Sequence, residues 1–304
     1  MLQLKKISSV FFVLTLLFTV LLTGCSSEEK TAPAGKIHVV VSFNAMKELV
    51  QAVGQDKVYI STIIPDGTEP HDFQLTPKDL KALHKANLFV YNGAGMEGWV
   101  DTAVQAASNE KLLVVEASKG VSLIELTDAA DIKEHGQYDP HTWMSPANAQ
   151  IEVQNIADAL AAADPQNKSF YQSNAQQYKQ KLAALLQKYQ KRFALTTQKN
   201  FVTGHAAFAY LCRDLGLQQS SVEDVFASGE PSAQSLAKLA SFCKRNAVTT
   251  IFVEDAVSPK TSQTLAREVG AQTQPIHTFE SSEGTLTYLQ RMEENLDAVY
   301  RSLK

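Results

Sequence analysis

From residue 36 to the C-terminus, short apolar runs alternate with stretches in which apolar residues recur every three or four positions. Lys36–Phe43 (KIHVVVSF) is a near-continuous apolar run and predicts a strand, followed by a helix over Asn44–Val53. Val58–Ile64, Asn87–Asn92 and Leu112–Glu116 predict further strands, separated by helical patterns at Pro77–Lys85 and Glu97–Ser108. The alternation resumes with strands near Phe201–Thr203, Ser220–Val225, Thr249–Glu254 and Thr273–Thr278. Helices fall between them at Ala206–Leu215, Ser232–Asn246 and Lys260–Val269, with a last one over Gly284–Leu303. Strands that alternate with helices predict parallel sheets in an α/β protein. The expected fold is two lobes, each a mostly parallel four-stranded sheet flanked by helices.

A different pattern separates the halves. After the helix beginning near Pro146, the stretch from Pro165 to Leu195 contains no Gly and no second Pro. Tyr171, Tyr178, Leu182, Leu185, Tyr189 and Phe193 share one helical face. This predicts a single rigid helix of about thirty residues, ~45 Å long, with Asp164–Pro165 as its N-cap and first position. The lobes are then expected over 36–163 and 197–304, with the linking helix over 164–196.

The N-terminus departs from this plan. Lys5 and Lys6 precede an apolar run from Val10 to Leu22, which fits a signal-peptide core and is shorter than the roughly 20 residues that span a bilayer. It ends in Leu22-Thr23-Gly24-Cys25, which resembles the lipobox of bacterial lipoproteins. The resemblance implies cleavage of a signal peptide, 1–24, and attachment of diacylglycerol to Cys25. Residues 25–35 then form the lipidated start and a flexible polar tether. An extracytoplasmic body anchored by lipid to the cell membrane is expected. Loss of the leader would remove Lys5 and Lys6, leaving 26 basic residues against 32 acidic ones. The net charge of -4 offers no basic footprint for nucleic acid. Of three Cys, only Cys212 and Cys243 remain after Cys25, and the sequence leaves open whether they pair.

Candidate chemistry lies in the histidines. His71 sits in a turn-rich loop after a strand, His141 just before the helix near Pro146, and His205 directly after the strand ending at Thr203. Glu280 follows the strand near Thr278. All four lie at strand-to-helix transitions, where open α/β sheets place their ligands. Three imidazoles and one carboxylate suit tetrahedral Zn²⁺ and disfavour Ca²⁺ and Mg²⁺, which prefer oxygen donors. No short metal motif sets the spacing.

At these residues the chain resembles a known family. Gly67-Thr68-Glu69-Pro70-His71-Asp72, Asp139-Pro140-His141-Thr142-Trp143 and Gly204-His205-Ala206-Ala207-Phe208 are similar to the signature loops of zinc-binding proteins of ABC uptake transporters, the cluster A-I solute-binding lipoproteins. Phe252-Val253-Glu254 and Phe279-Glu280-Ser281 match as well, and the resemblance runs from Lys36 to Lys304. It implies two lobes joined by a rigid helix, with Zn²⁺ as the transported ligand in the cleft. It also implies His71, His141, His205 and Glu280 as ligands, a membrane permease as partner, and a monomer. His277 and Glu283 lie close enough in sequence to compete with Glu280. Glu69 and Glu254 are candidates for outer support of the site. His135, in the short stretch Thr127–Tyr138, belongs to an ordinary surface loop or helps to capture metal, and His38 and His84 are expected to be structural or solvent-facing.

Other readings stand beside this one. The manganese branch of the family commonly carries Glu where this chain has His205, which favours zinc here. A zinc hydrolase needs an open coordination position, and the chain has neither HExxH, nor G-x-S-x-G, nor a Gly-rich phosphate loop. An enzyme is therefore not expected. An adhesin role toward a host surface protein is reported for some relatives and stays open.

Overall fold

The structure is a computed structural model that describes residues 33–304, apart from 130, 131, 134, 135, 228–230, 255–258 and 283. The leader, Cys25, His135 and Glu283 lie outside the described residues. Two four-stranded sheets are present. The first contains β1 (Ile37–Val41), β2 (Val58–Thr62), β3 (Leu88–Tyr91) and β4 (Leu113–Glu116) in the order β2-β1-β3-β4. The second contains β5 (Asn200–Thr203), β6 (Gln218–Ser221), β7 (Thr250–Val253) and β8 (Gln272–Pro275) in the order β6-β5-β7-β8. Every pairing within the two sheets is parallel, so helices cover the faces and the central strands are largely apolar. Val39, Val40, Val41, Leu88, Phe89 and Val90 have no exposure at all. In each sheet the chain leaves the two middle strands in opposite directions, which makes a topological switch point at their carboxyl ends.

The first lobe carries α1 (Asn44–Gly54), α2 (Pro77–Lys85) and α3 (Val100–Ala107). Two consecutive long helices follow, α4 (Pro146–Ala163) and α5 (Lys168–Ala194). The α4 cap is Ser145, whose hydroxyl accepts from the backbone N–H groups of Ala147 and Asn148, with Pro146 at the first helical position. The linking helix begins later than its pattern predicts. Pro165–Asn167 form a 3₁₀ turn, and α5 starts at Lys168 and runs for 27 residues. Asp164 turns its carboxylate toward the Asn167 amide and the Tyr171 hydroxyl, both at 2.7 Å, and so holds the corner between α4 and α5. The aromatic and leucine face of α5 is the one that is buried. Near its start Asn174 donates to Val53 O in the first lobe. Near its end Arg192 pairs with Asp297 of the last helix, and Gln190 donates to Asp214 O in the second lobe.

The second lobe carries α6 (Ala209–Leu215), α7 (Ala233–Arg245), α8 (Pro259–Val269) and α9 (Tyr288–Ser302). Several elements are shorter than their patterns predict: β6 ends at Ser221, β8 ends at Pro275, α6 starts at Ala209 and α9 starts at Tyr288. The later start of α6 and the earlier end of β8 lengthen the loops after β5 and β8, which carry His205 and Glu280. One continuous core includes the first sheet, the α4–α5 pair and part of the second lobe, with a smaller core between α7, α8 and the second sheet. Cys212 and Cys243 are both free and buried. Among the described residues no helix is long and apolar enough to cross a membrane.

Candidate metal centre

His71, His141, His205 and Glu280 converge, each offering one ligand atom, and these four atoms lie within 4.8 Å of one another. His141 Nε2 is 3.3 Å from His71 Nε2 and 3.2 Å from His205 Nε2. Glu280 Oε1 is 3.8 Å from His141 Nε2 and 4.0 Å from His205 Nε2. A tetrahedral ion with bonds of about 2.0–2.1 Å sets its ligands about 3.3–3.4 Å apart, because a tetrahedron's edge is about 1.63 times its radius. The two nitrogen–nitrogen edges from His141 match that figure. The carboxylate edges are wider, so an ion would draw Glu280 inward by roughly half an ångström. His141, His205 and Glu280 are all but inaccessible.

Each ligand atom is aimed by a neighbour. Asp139 Oδ1 accepts from His141 N and faces His141 Nδ1, both at 2.9 Å, which leaves Nε2 turned into the cluster. The loop holding both residues is tied down on two sides. Asn92, following β3, donates to Pro140 O and accepts from the Thr142 hydroxyl, each at 2.9 Å. Tyr210 of α6 donates to Asp139 O at 2.6 Å. His205 N donates to Glu254 Oε1 at 3.3 Å, and His205 O accepts from Thr203 Oγ1 and Gln219 Nε2. Burial, reinforced by the neighbouring His141, holds the His205 imidazole well below its ordinary pKa, which keeps it neutral and able to donate a lone pair. Glu280 Oε2 accepts from the Thr278 hydroxyl at 2.7 Å, which turns Oε1 toward the histidines. Phe226 closes the flank of His71, ring to ring at 5.3 Å.

The remaining candidates stand outside this cluster. Glu69 Oε1 accepts from His71 N at 3.3 Å and lies 4.0 Å from its ring nitrogen, with burial raising its carboxyl pKa. Glu254 touches the backbone of His205, and burial pushes its carboxyl up to about 8. His277 turns away toward α9, where Nε2 lies 3.3 Å from Glu294 and its N–H bonds to Asn295. His38 pairs with Ser61, and His84 with Ala107 O. The pattern reading did not find Asn92, and it met Gly204 only as part of a family loop, without a role. Both sit at the carboxyl ends of middle strands, and a polar residue or glycine at a switch point was the available signal.

The family model for the zinc-uptake complex component A, periplasmic, matches residues 39–302. The chain belongs to this family. Members of the zinc-uptake component A family are parts of an uptake complex, which separates the chain from the zinc hydrolases weighed above. The high-affinity zinc uptake system protein ZnuA of Bacillus subtilis is 37% identical over 317 residues, spanning 98% of each chain. Among solved structures, a Zn(II)-bound variant of AdcAII from Streptococcus pneumoniae is 33% identical, with a TM-score of 0.82 over 90% of this chain and 100% of its own. The laminin-binding protein Lmb of Streptococcus agalactiae, described as bifunctional with adhesin and metal transporting activity, is 33% identical. Its TM-score is 0.80 over 88% of this chain and all of its own. The two-lobe fold agrees with the family.

Proposed function

We propose that this chain captures Zn²⁺ outside the cytoplasm on His71, His141, His205 and Glu280 and delivers it to the membrane permease of an ABC importer. The observation that carries the reading is the convergence of three imidazoles and one carboxylate in a buried place, with two nitrogen–nitrogen distances at tetrahedral spacing. Zinc is favoured over manganese because three of four donors are nitrogen. Membership of a zinc-uptake family and the likeness to a Zn(II)-bound protein support the same ion. In this reading Cys25 carries the lipid anchor, and the protein works as a monomer with lobes over 36–163 and 197–304 joined through the helix within 164–196. Zn²⁺ binds the neutral form of an imidazole and protons compete for the same lone pair, so affinity falls on acidification.

Metal analysis and competition titration of the purified protein test the reading. The expected result is one zinc per chain, lost on His205→Ala, with Mn²⁺ unable to displace it. Manganese preference, or wild-type zinc affinity in both His205→Ala and Glu280→Ala, would overturn it. The likeness to Lmb supports a second activity, binding of a host surface protein. Immobilised laminin is the direct test, and absence of saturable binding removes that activity without touching the first.

A further inference from the structure

The carbonyl groups on either side of Glu280 are held by one side chain of the opposite lobe. Asn44 is the first residue of α1, just past the end of β1, at the switch point of the first sheet. It is 2% exposed. Its Nδ2 donates to Phe279 O at 3.2 Å and to Ser281 O at 3.0 Å, and it also reaches Glu48 Oε1 at 3.2 Å. Arg291 of α9 seals the contact. It pairs with Glu48, donates to Ser281 O at 3.3 Å, and lays its guanidinium over the Phe279 ring at 4.8 Å.

Other bonds across the lobes grip the same segment. Trp143 Nε1 donates to Thr278 O at 2.7 Å, Gly67 N to Ser281 Oγ at 2.8 Å, and Ser282 N to Asp66 Oδ1 at 2.8 Å. Phe279 itself has φ +65°, a conformation that a bulky L-residue keeps only where its surroundings impose it. By sequence, then, the Glu280 loop hangs from β8 in the second lobe. By hydrogen bonding it is fastened to the first.

We infer that Asn44 is a positioning residue for the Glu280 carboxylate, holding the Phe279–Glu280 peptide and, one peptide further on, the Ser281–Ser282 peptide so that Oε1 faces the histidines. The inference rests on the metal-site reading above and deepens it. The competing account is that Asn44 merely fills space at the start of α1. An isosteric Asp separates the two, because it keeps the volume, loses the donor and sets a carboxylate against two carbonyl oxygens.

The test uses the full-length protein with Co²⁺ as a spectroscopic probe and Zn²⁺ for affinity. Wild type, Asn44→Ala, Asn44→Asp, Glu280→Gln and the Asn44→Asp/Glu280→Gln double variant are compared. The expected result is that both Asn44 variants melt cooperatively and still bind Co²⁺. Their d–d bands shift toward those of Glu280→Gln, and zinc affinity falls about 10–100-fold. The double variant then binds no more weakly than Glu280→Gln alone, since both changes act through one carboxylate. Wild-type bands and affinity in Asn44→Asp would overturn the inference, as would losses that multiply in the double variant. Collapse of the fold in both Asn44 variants would assign Asn44 a structural role instead. If wild type binds neither Co²⁺ nor Zn²⁺, the metal-site reading fails first; if it binds both and only the Asn44 variants behave as wild type, the inference alone fails.

Discussion

Gly204→Ala is the smallest change that this site should not tolerate. A Cβ at that position would lie 2.0 Å from Glu254 Oε2 and 3.1 Å from its carboxyl carbon. Non-bonded heavy atoms settle at about 3.5 Å, so the Glu254 carboxylate must retreat by more than ~1 Å. Backbone strain plays no part, because Gly204 is not in the left-handed region. The retreat breaks the bond from His205 N, 3.3 Å in the native arrangement, and leaves a carboxyl that is 2% exposed without its donors. The expected cost is about 1–3 kcal/mol of stability for the lost buried bonds. Zinc affinity should fall by about 10–100-fold as the His205 backbone shifts. Thermal melting of the metal-free protein reads the first effect, and competition against a chromophoric chelator reads the second. The rescue is specific: Glu254→Asp withdraws the carboxylate by one C–C bond, about 1.5 Å, and should restore most of the affinity in the double variant. Wild-type affinity in Gly204→Ala, or a double variant no better than the single, would refute the steric argument.

Two further expectations concern individual carboxylates. Asp139→Ala removes the acceptor that turns His141 Nε2 inward, and zinc affinity measured by competition should fall by about 10–100-fold with the fold intact; an unchanged affinity would show that the surrounding loop suffices. Glu152, wholly buried on α4, has its carboxyl pushed up to about 7 by burial. The native state therefore holds a proton that the unfolded chain has released, and the group's contribution to stability falls by up to ~1.4 kcal/mol per pH unit as pH rises between about 4.5 and 7. Glu97, raised to about 7, slopes the same way, so the measurement is a difference. Denaturant melts at pH 5.5 and 8 should show Glu152→Gln gaining stability relative to wild type at the higher pH, and a pH-independent difference would count against a buried neutral acid.

Periodicity alone determined the architecture, because the central strands of a parallel sheet are buried on both faces and read as apolar runs, and because the α5 face must pack. The three histidine loops were legible for a related reason: His71 and His205 follow strand ends and His141 precedes a helix start, where the backbone opens into turns that tolerate Gly, Pro and polar residues. The choice between Glu280 and His277 was not legible. The two lie three residues apart in a segment without regular structure, so no period says which side chain faces where. Long-range bonds decide it, with Trp143 and Asn44 fastening the carbonyls of Thr278, Phe279 and Ser281 while Asn295 and Glu294 draw His277 toward α9. The start of α5 shows the same limit, since Asp164 ends one helix and caps the turn before the next through contacts with Asn167 and Tyr171. Local pattern sets which segments become strand or helix. Tertiary hydrogen bonds set where irregular segments point, and the fourth carboxylate of this site sits on such a segment.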